Sequence, residues 1–143
     1  MTSYIEDKKF GLNNEEKYLE SLSKYFNTTF KKYDNNYSLL DFYSESEKIF
    51  IEMKSRRINH NQYPTAIFNA HKIDEFNRLN KNNDSKFYIV FVYLDGVYYI
   101  EYNKEIFNKF EMKKFKRFER EGKIDYLNFC YFIPTNLLKE IKP

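Results

Sequence analysis

Residues 38–54, SLLDFYSESEKIFIEMK, contain the pattern that decides the fold of this chain. One short apolar run ends at Asp41, a second begins at Ile49, and a polar segment lies between them. This arrangement predicts an antiparallel hairpin of two strands. If Ser44 pairs with Ile49, the period of two along each strand places Asp41 directly across from Glu52.

The second strand of this hairpin carries charged residues near its end. Ile49, Ile51 and Met53 are predicted to face a core, while Glu52 and Lys54 emerge together on the opposite face. Opposed residues of an antiparallel pair hold their Cβ atoms about 4.5–5.5 Å apart, so two carboxylates there can share one divalent cation. A neighbouring lysine can orient the attacking water or stabilise negative charge on a phosphate. The same residues also fit a hairpin whose charged face is simply solvated.

Residues 11–17, GLNNEEK, begin a predicted helix. Asn13 or Asn14 is suited to the N-cap, and the apolar positions recur at helical spacing. These positions are Leu12, Leu19, Leu22 and Phe26. Glu15 falls in the same stripe, and a carboxylate at the edge of a core needs a partner. A metal shared with Asp41 and Glu52, a buried basic side chain, or the positive end of the helix dipole would each supply one.

The Gly11-x-x-x-Glu15 helix start, Asp41 and the Glu52-x-Lys54 triplet together resemble the motif of the PD-(D/E)XK nuclease superfamily. The helix start is similar to that of archaeal Holliday-junction resolvases. The resemblance implies an α/β fold with a restriction-endonuclease-like core, in which a central mixed β-sheet is flanked by helices. It also implies that Asp41, Glu52 and Glu15 bind Mg²⁺ or Mn²⁺ and that Lys54 is the catalytic lysine.

A second stretch of the chain is similar to small PD-(D/E)XK-like proteins that bacteriophages encode. The segments that carry this similarity are SRR at 55–57, YPT at 63–65, Asn69-x-x-Lys72, and DGVYY at 95–99. Leu40 stands where the name of the superfamily has a proline, which is a departure from the motif. The proline is often absent in the superfamily, so the departure changes little.

The other elements follow from periodicity and turn residues. Pro64 is typical of an early helix position, so we expect a helix over 65–79 that buries apolar residues at helical spacing. Those residues are Ala66, Ala70, Ile73, and Phe76 or Leu79. Strands are predicted over 28–33, 39–43, 49–54, 87–94, 97–102 and 126–133, with a turn at Asp95-Gly96 and a short helix capped by Thr135.

Basic residues at two places, together with Gln62, are candidates for contact with nucleic acid. Arg56 and Arg57 follow the catalytic strand directly, and Lys72 and Gln62 lie in the segment after it, near the scissile phosphate by analogy with the superfamily. A basic stretch with interleaved phenylalanines is predicted to form a helix or loop along the phosphate backbone. Its candidates are Lys113, Lys114, Lys116, Arg117 and Arg120. An ordinary solvated face is the alternative for this stretch and for Lys72.

Composition bounds the remaining possibilities. The chain has 143 residues, 42% of them hydrophobic, and no linker-like segment, which predicts one domain over 1–143. Cys130 is the single cysteine, so neither an internal disulfide nor a zinc site of cysteines is expected. No apolar stretch approaches 18 residues, so we expect neither a signal peptide nor a membrane partner. These features fit the cytoplasm, or the host cytoplasm if a phage encodes the protein.

The sequence therefore predicts a metal-dependent nuclease that hydrolyses DNA phosphodiester bonds, with structure-specific, junction-resolvase-like cleavage as the finer expectation. The alternative is a nucleic-acid-binding or assembly protein that keeps the nuclease fold without catalysis. RNA stays open as a substrate, because no residue is placed to detect a 2′-hydroxyl. Cutting at two ends would require a homodimer, for which the aromatic strand over 97–102 offers an edge.

Overall fold

The computed structural model describes residues 4–32, 40–116 and 127–142. Within these residues the elements are α1 (Tyr4–Tyr25), β1 (Lys31–Lys32), β2 (Phe42–Ser44), β3 (Ile49–Ser55), β4 (Thr65–Asn69), α2 (Ala70–Leu79), β5 (Lys86–Tyr93), β6 (Gly96–Glu101), α3 (Lys104–Phe107), β7 (Glu111–Lys116), β8 (Leu127–Pro134), a 3-10 helix (Thr135–Leu137) and β9 (Lys139–Ile141).

The strands form two sheets. The larger has six strands in the order β1-β2-β3-β5-β6-β9, with β3 and β5 parallel and the other neighbours antiparallel. The smaller is antiparallel, in the order β4-β8-β7. The prediction of an α/β fold with a central mixed sheet is confirmed, whereas the smaller sheet was not predicted.

The hairpin of β2 and β3 has the predicted register. Ser44 pairs with Ile49, and the ladder continues to the pair of Phe42 and Ile51. Asp41 comes one residue before β2, and its backbone N–H donates to the carbonyl of Ile51 at 3.2 Å. The short polar connection fixes this register, because a slip by one residue would turn every side chain to the wrong face.

Strand β3 lies in the middle of the larger sheet and is buried on both faces. On one face Ile51 and Met53 pack in a cluster that includes Leu22 of α1. On the other face Phe50 packs in a cluster that includes Phe76 of α2. The alternative of a hairpin with a solvated charged face is therefore wrong for Glu52, which is buried on the face opposite to Ile51 and Met53. Parallel pairing of β3 with β5 needs a crossover connection, and the elements of that crossover cover the second face.

The segment over 65–79 begins as a strand and not as the predicted helix. Thr65–Asn69 forms β4, which pairs along its whole length with β8 from the end of the chain. Helix α2 begins only after Asn69, whose side chain accepts a hydrogen bond from the N–H of His71 at 2.9 Å. β-branched and aromatic residues dominate 65–68, and the distant partner strand decides their conformation.

Three smaller predictions also differ from the structure. Helix α1 begins at Tyr4, so Asn13 and Asn14 lie within it and do not cap it. Glu111–Lys116 is the edge strand β7, where a helix or loop was expected. Thr135 opens a 3-10 helix without capping it, and its hydroxyl instead donates to the carbonyl of Pro64 at 3.2 Å.

The predicted sheet edge over 97–102 is partly covered. β9 pairs with β6 through Val97, Tyr98 and Tyr99, so β6 is an interior strand there. The edge strands of the larger sheet are β1 and β9 among the described residues. A homodimer formed through the edge of β6 at these three residues would have to displace β9.

Replacing Asn69 by alanine tests where helix α2 begins. We expect Asn69→Ala to lower the free energy of unfolding by about 1 kcal/mol, because the N-cap hydrogen bond to His71 is lost. Asn69→Ser keeps a capping oxygen and should stay close to wild type. Urea unfolding followed by circular dichroism measures both. A stabilised Asn69→Ala variant would contradict the structure, since alanine improves the interior of a helix.

Candidate active site

Glu52 is a carboxylate placed in the protein interior. Its side chain is only 2% exposed, and its neighbours on β3 are apolar residues of the core. Residues at alternate positions of a strand share a face, so Glu52 lies on the face of Phe50 and Lys54, toward α2. An ionised carboxylate buried in this way needs partners that replace its lost hydration.

Two lysines supply those partners at the same oxygen atom. The Nζ of Lys54 lies 3.1 Å from Oε2 of Glu52, and the Nζ of Lys72 lies 3.4 Å from it. Lys54 follows Glu52 by two positions on β3, whereas Lys72 reaches the carboxylate from the first turn of α2. Oε1 of Glu52 is fully buried and has no hydrogen-bond partner among the described residues. One oxygen of this carboxylate is thus doubly paired and the other is not.

Asp41 is held beside Glu52 by the end of the hairpin. Its Oδ2 accepts a hydrogen bond from the backbone N–H of Met53 at 2.8 Å. This N–H lies beyond the last paired residue of β2, so the side chain of Asp41 takes the place of a missing strand partner. The bond engages one of the two carboxylate oxygens. The register of the hairpin therefore brings Asp41 opposite Glu52 one step past the ladder, near enough for its charge to act on the Glu52 carboxyl group.

The surroundings of Glu52 shift its proton affinity. Burial raises the pKa of the Glu52 carboxyl group, and the nearby positive charge of Lys54 is the largest opposing influence. The negative charge of Asp41 raises this pKa further, whereas Lys72 lowers it. The balance brings the pKa of Glu52 to about 7. The two lysines thus do not fully compensate for the lost hydration of the carboxylate.

The side chains at this site fit a hard divalent cation. Glu52 and Asp41 provide carboxylate oxygens, which are the ligands that Mg²⁺ prefers, and Oε1 of Glu52 lacks a partner among the described residues. Mg²⁺ is usually bound through one or two protein carboxylates together with water and substrate phosphate, so two carboxylates are enough. No group of three or more potential ligand residues occurs in the part of the chain that the structure describes.

Glu15, the predicted third ligand, lies on helix α1. Its side chain is outside the described part of the chain, so its role stays a prediction. Leu22 of the same helix packs on the face of the sheet opposite to Glu52. Near the start of the helix, Glu6 pairs with Arg57 at 3.1 Å, just after β3 ends. The N-terminal part of α1 therefore passes close to the end of β3.

The predicted nucleic-acid contacts fall into groups. Arg56, Arg57 and exposed Gln62 lie in the connection that follows β3, on the side of the site. Lys113 and Lys114 are exposed on β7 and lie over the rings of Phe132 and Phe129 at 5.6 and 5.4 Å. Lys116 is the last residue of β7, and its side chain is outside the described part, as are Arg117 and Arg120 altogether.

Lys72 has a partner that the sequence did not reveal. The sequence left two expectations for Lys72, a contact with the scissile phosphate and an ordinary solvated face, and the structure adds its ion pair with Glu52. Asn69 was a usable signal, because an N-cap there puts Lys72 in the first turn of the helix. To recognise Asn69 as the N-cap, however, residues 65–69 would first have to be predicted as a strand, and that strand depends on β8.

A mixed sheet whose central strand carries a buried glutamate paired with a lysine, next to an aspartate, fits the PD-(D/E)XK superfamily of nucleases. The family described as "Phage putative PDDEXK endonuclease" matches residues 7–141, and the chain belongs to this family. No curated protein matches the chain.

Among solved structures, Hjc, a Holliday junction resolvase from the archaeal hyperthermophile Archaeoglobus fulgidus, is similar in fold. The match covers 92% of this chain and 91% of that chain, with 13% sequence identity and a TM-score of 0.57. None of the helices among the described residues has both the length and the apolar character needed to cross a membrane.

The raised pKa of Glu52 predicts how stability depends on pH in the metal-free protein. Glu52 ionises near its ordinary pKa of 4.5 when the chain is unfolded and near 7 when it is folded. Its ionisation therefore destabilises the fold progressively from about pH 4.5 to pH 7. Glu52→Gln cannot ionise, so its stability relative to wild type should be roughly 2–3 kcal/mol more favourable at pH 8 than at pH 5.

Urea unfolding in the presence of a chelator, at both pH values, measures this difference. Glu101→Gln, on β6, is the control for the loss of an acidic group at a solvent-exposed strand position. A relative stability of Glu52→Gln that does not change with pH would show that the carboxylate is ordinarily solvated.

Proposed function

We propose that this protein is a divalent-metal-dependent nuclease that hydrolyses phosphodiester bonds in DNA, with Asp41, Glu52 and Glu15 as the ligands of Mg²⁺ or Mn²⁺. The observation that carries the proposal is the carboxylate of Glu52, which is 2% exposed and has one oxygen without a partner among the described residues. A purely structural carboxylate would be expected to have both oxygens satisfied. A carboxylate that binds a cation keeps one oxygen available for the metal ion.

The bound cation would polarise the phosphoryl oxygen and lower the pKa of a water molecule. Asp41 and Glu52 would hold it against β3, which is fixed by strands on both sides. Lys54 lies on the same face, 3.1 Å from Glu52, where its ammonium group can orient the attacking water. Both carboxylates are backed by rigid strands, which keeps the reacting groups in position.

Lys72 is the second positive charge of the site, and we assign it to the phosphate. A cation on Glu52 competes with both ammonium groups for the same carboxylate. Lys72 is on the helix and is already the more distant partner, at 3.4 Å. Its release toward the substrate would place a positive charge beside the negative charge that develops on the phosphoryl group.

The choice of DNA and of branched substrates rests on the relatives. The matched structure is named as a Holliday junction resolvase, and the matched family as a phage endonuclease. Arg56 and Arg57 follow the catalytic strand and suit a phosphate backbone. A structure-specific endonuclease of this kind would work on phage or host DNA in the cytoplasm of the infected cell. Cutting two strands of a junction would need two copies of the chain.

Metal binding can be tested without any cleavage. We expect Mg²⁺ or Mn²⁺ to raise the melting temperature of the wild-type protein, because a ligand bound only by the folded state stabilises it. The same titration should leave Glu52→Gln and Asp41→Asn unchanged. Asp74→Asn, which replaces an exposed acid on α2, is the control and should respond like wild type. Differential scanning calorimetry over a range of metal concentrations gives the comparison.

The same titration examines Glu15. Glu15→Gln should bind the metal more weakly if this carboxylate completes the site. A metal response in Glu15→Gln equal to that of wild type would remove Glu15 from the ligand set without affecting the roles of Asp41 and Glu52. If Mg²⁺ or Mn²⁺ stabilised Glu52→Gln as much as wild type, the proposed metal site as a whole would be contradicted.

Cleavage tests the reaction itself. We expect metal-dependent products from supercoiled plasmid or four-way-junction DNA, reduced by at least about 100-fold in Glu52→Gln and Lys54→Met, since each removes a group acting in the transition state. Lys86→Met, an exposed lysine at the start of β5, is the matched control and should cleave like wild type. DNA binding without cleavage under either metal would favour a nucleic-acid-binding protein without catalysis. Faster cleavage of RNA than of DNA would identify RNA as the substrate.

A further inference from the structure

We propose that the cleft next to Lys54 is a binding subsite for one unstacked nucleobase of the substrate strand. The proposal rests on the proposed nuclease function and adds a substrate class to it. The class is DNA in which a base next to the cleaved bond is not stacked in a duplex, as at a branch point, a flap or a single strand.

The cleft has a volume of about 190 Å³ and is lined by side chains from three parts of the chain. Arg56 and Tyr63 come from the connection between β3 and β4, and Phe91 and Tyr93 come from β5. Thr65 of β4 adds a hydroxyl group. This volume corresponds to about six water molecules, which is enough for one flat ring system.

The cleft continues the catalytic face of the sheet. Arg56 follows Lys54 by two positions, and its N–H donates to the carbonyl of Val92 at 2.9 Å, which extends the pairing of β3 with β5. Two residues of a strand rise about 6.6 Å, or roughly two stacked nucleotide steps of 3.4 Å. A nucleotide adjacent to a phosphate at Lys54 therefore has its base within reach of the cleft.

The lining groups match the chemistry of a base. Tyr63 is 55% exposed, which presents one ring to solvent at the rim as a stacking surface. The guanidinium group of Arg56, whose Nη1 donates to the carbonyl of Ser55 at 3.1 Å, adds positive charge to the cleft, and the hydroxyl of Thr65 can donate a hydrogen bond to the polar edge of a base. Burial raises the pKa of the Tyr93 hydroxyl, and the positive charge of Arg56 opposes that rise, so these two groups are close neighbours.

The two segments that contribute Ile58 and Tyr93 to the cleft are joined to each other beside it. The N–H of Leu94 donates to the carbonyl of Ile58 at 3.0 Å. The N–H of His60 donates to Oδ1 of Asp95 at 2.9 Å, and Nδ1 of His60 lies 2.6 Å from Oδ2 of Asp95. The ring of His60 also stacks on Tyr98 at 4.4 Å. A cleft that is already formed loses less conformational entropy when a ligand binds, so it binds more tightly than the same groups on a flexible surface.

A base in the middle of a duplex cannot use this cleft. Both of its faces are covered by neighbouring base pairs, so contact with Tyr63 requires that the base leave the stack. Branched, frayed or single-stranded DNA already contains such bases and does not have to be unstacked. The cleft thus selects for these forms through the conformation of the substrate strand and not through its sequence.

Binding of oligothymidine and of a blunt duplex of equal length tests this subsite, measured by fluorescence anisotropy in the presence of a chelator so that nothing is cleaved. Tyr63→Leu should weaken oligothymidine binding by roughly 5- to 20-fold, the lower part of the range for loss of an aromatic stacking partner. Tyr63→Phe keeps the ring and should bind like wild type. Duplex binding should change less than about 2-fold in both variants.

The outcomes separate the subsite from the nuclease function. Equal binding of oligothymidine by wild type and Tyr63→Leu, or an equal loss for duplex and single strand, overturns the subsite while metal-dependent cleavage by wild type still stands. If wild type cleaves nothing under any metal but the Tyr63 ring is required for oligothymidine binding, the nuclease proposal fails and the subsite stands. No binding of single-stranded DNA by wild type overturns the subsite as well.

Discussion

The burial of a carboxylate in the central strand is the constraint on which the rest of this structure depends. Glu52 has apolar neighbours on β3 and lies inside a sheet that is covered on both faces. Two lysines compensate in part, and the helix that carries Lys72 is placed by strand β4, which in turn pairs with β8. Replacing a buried ionic group by apolar residues often stabilises a protein, so stability alone does not account for this arrangement.

The same constraint connects stability and chemistry. A carboxylate that is incompletely compensated in the metal-free protein has the most to gain from a cation, because the ion replaces the lost hydration. A central strand is also the most rigid place in the fold, which suits a group that must hold a reacting centre within a fraction of an ångström. The fold therefore keeps a fixed, partly unsatisfied carboxylate at a cost in folding free energy.

The sequence was most informative where the structure is local. The register of β2 and β3 followed from a short turn and an apolar pattern, and with it the position of Asp41 beside Glu52. The sequence failed at Thr65–Asn69 and at Glu111–Lys116, because both segments are strands only by virtue of β8. Lys72 was found as a residue of interest, but its contact with Glu52 could not be predicted without the position of β4.

The pairing of β4 with β8 has a consequence for the order in which the molecule assembles. Thr65 pairs with Pro134, so β4 cannot be paired until a strand that lies much later in the sequence is present. Contacts of such large sequence separation are slow to form, because loop closure must precede any gain from pairing. On a ribosome the hairpin with Asp41 and Glu52 would emerge before β8, and α2 with Lys72 would lack its support until β8 has been made. The pairing of Lys72 with Glu52 is thus expected to form only after β8 is available.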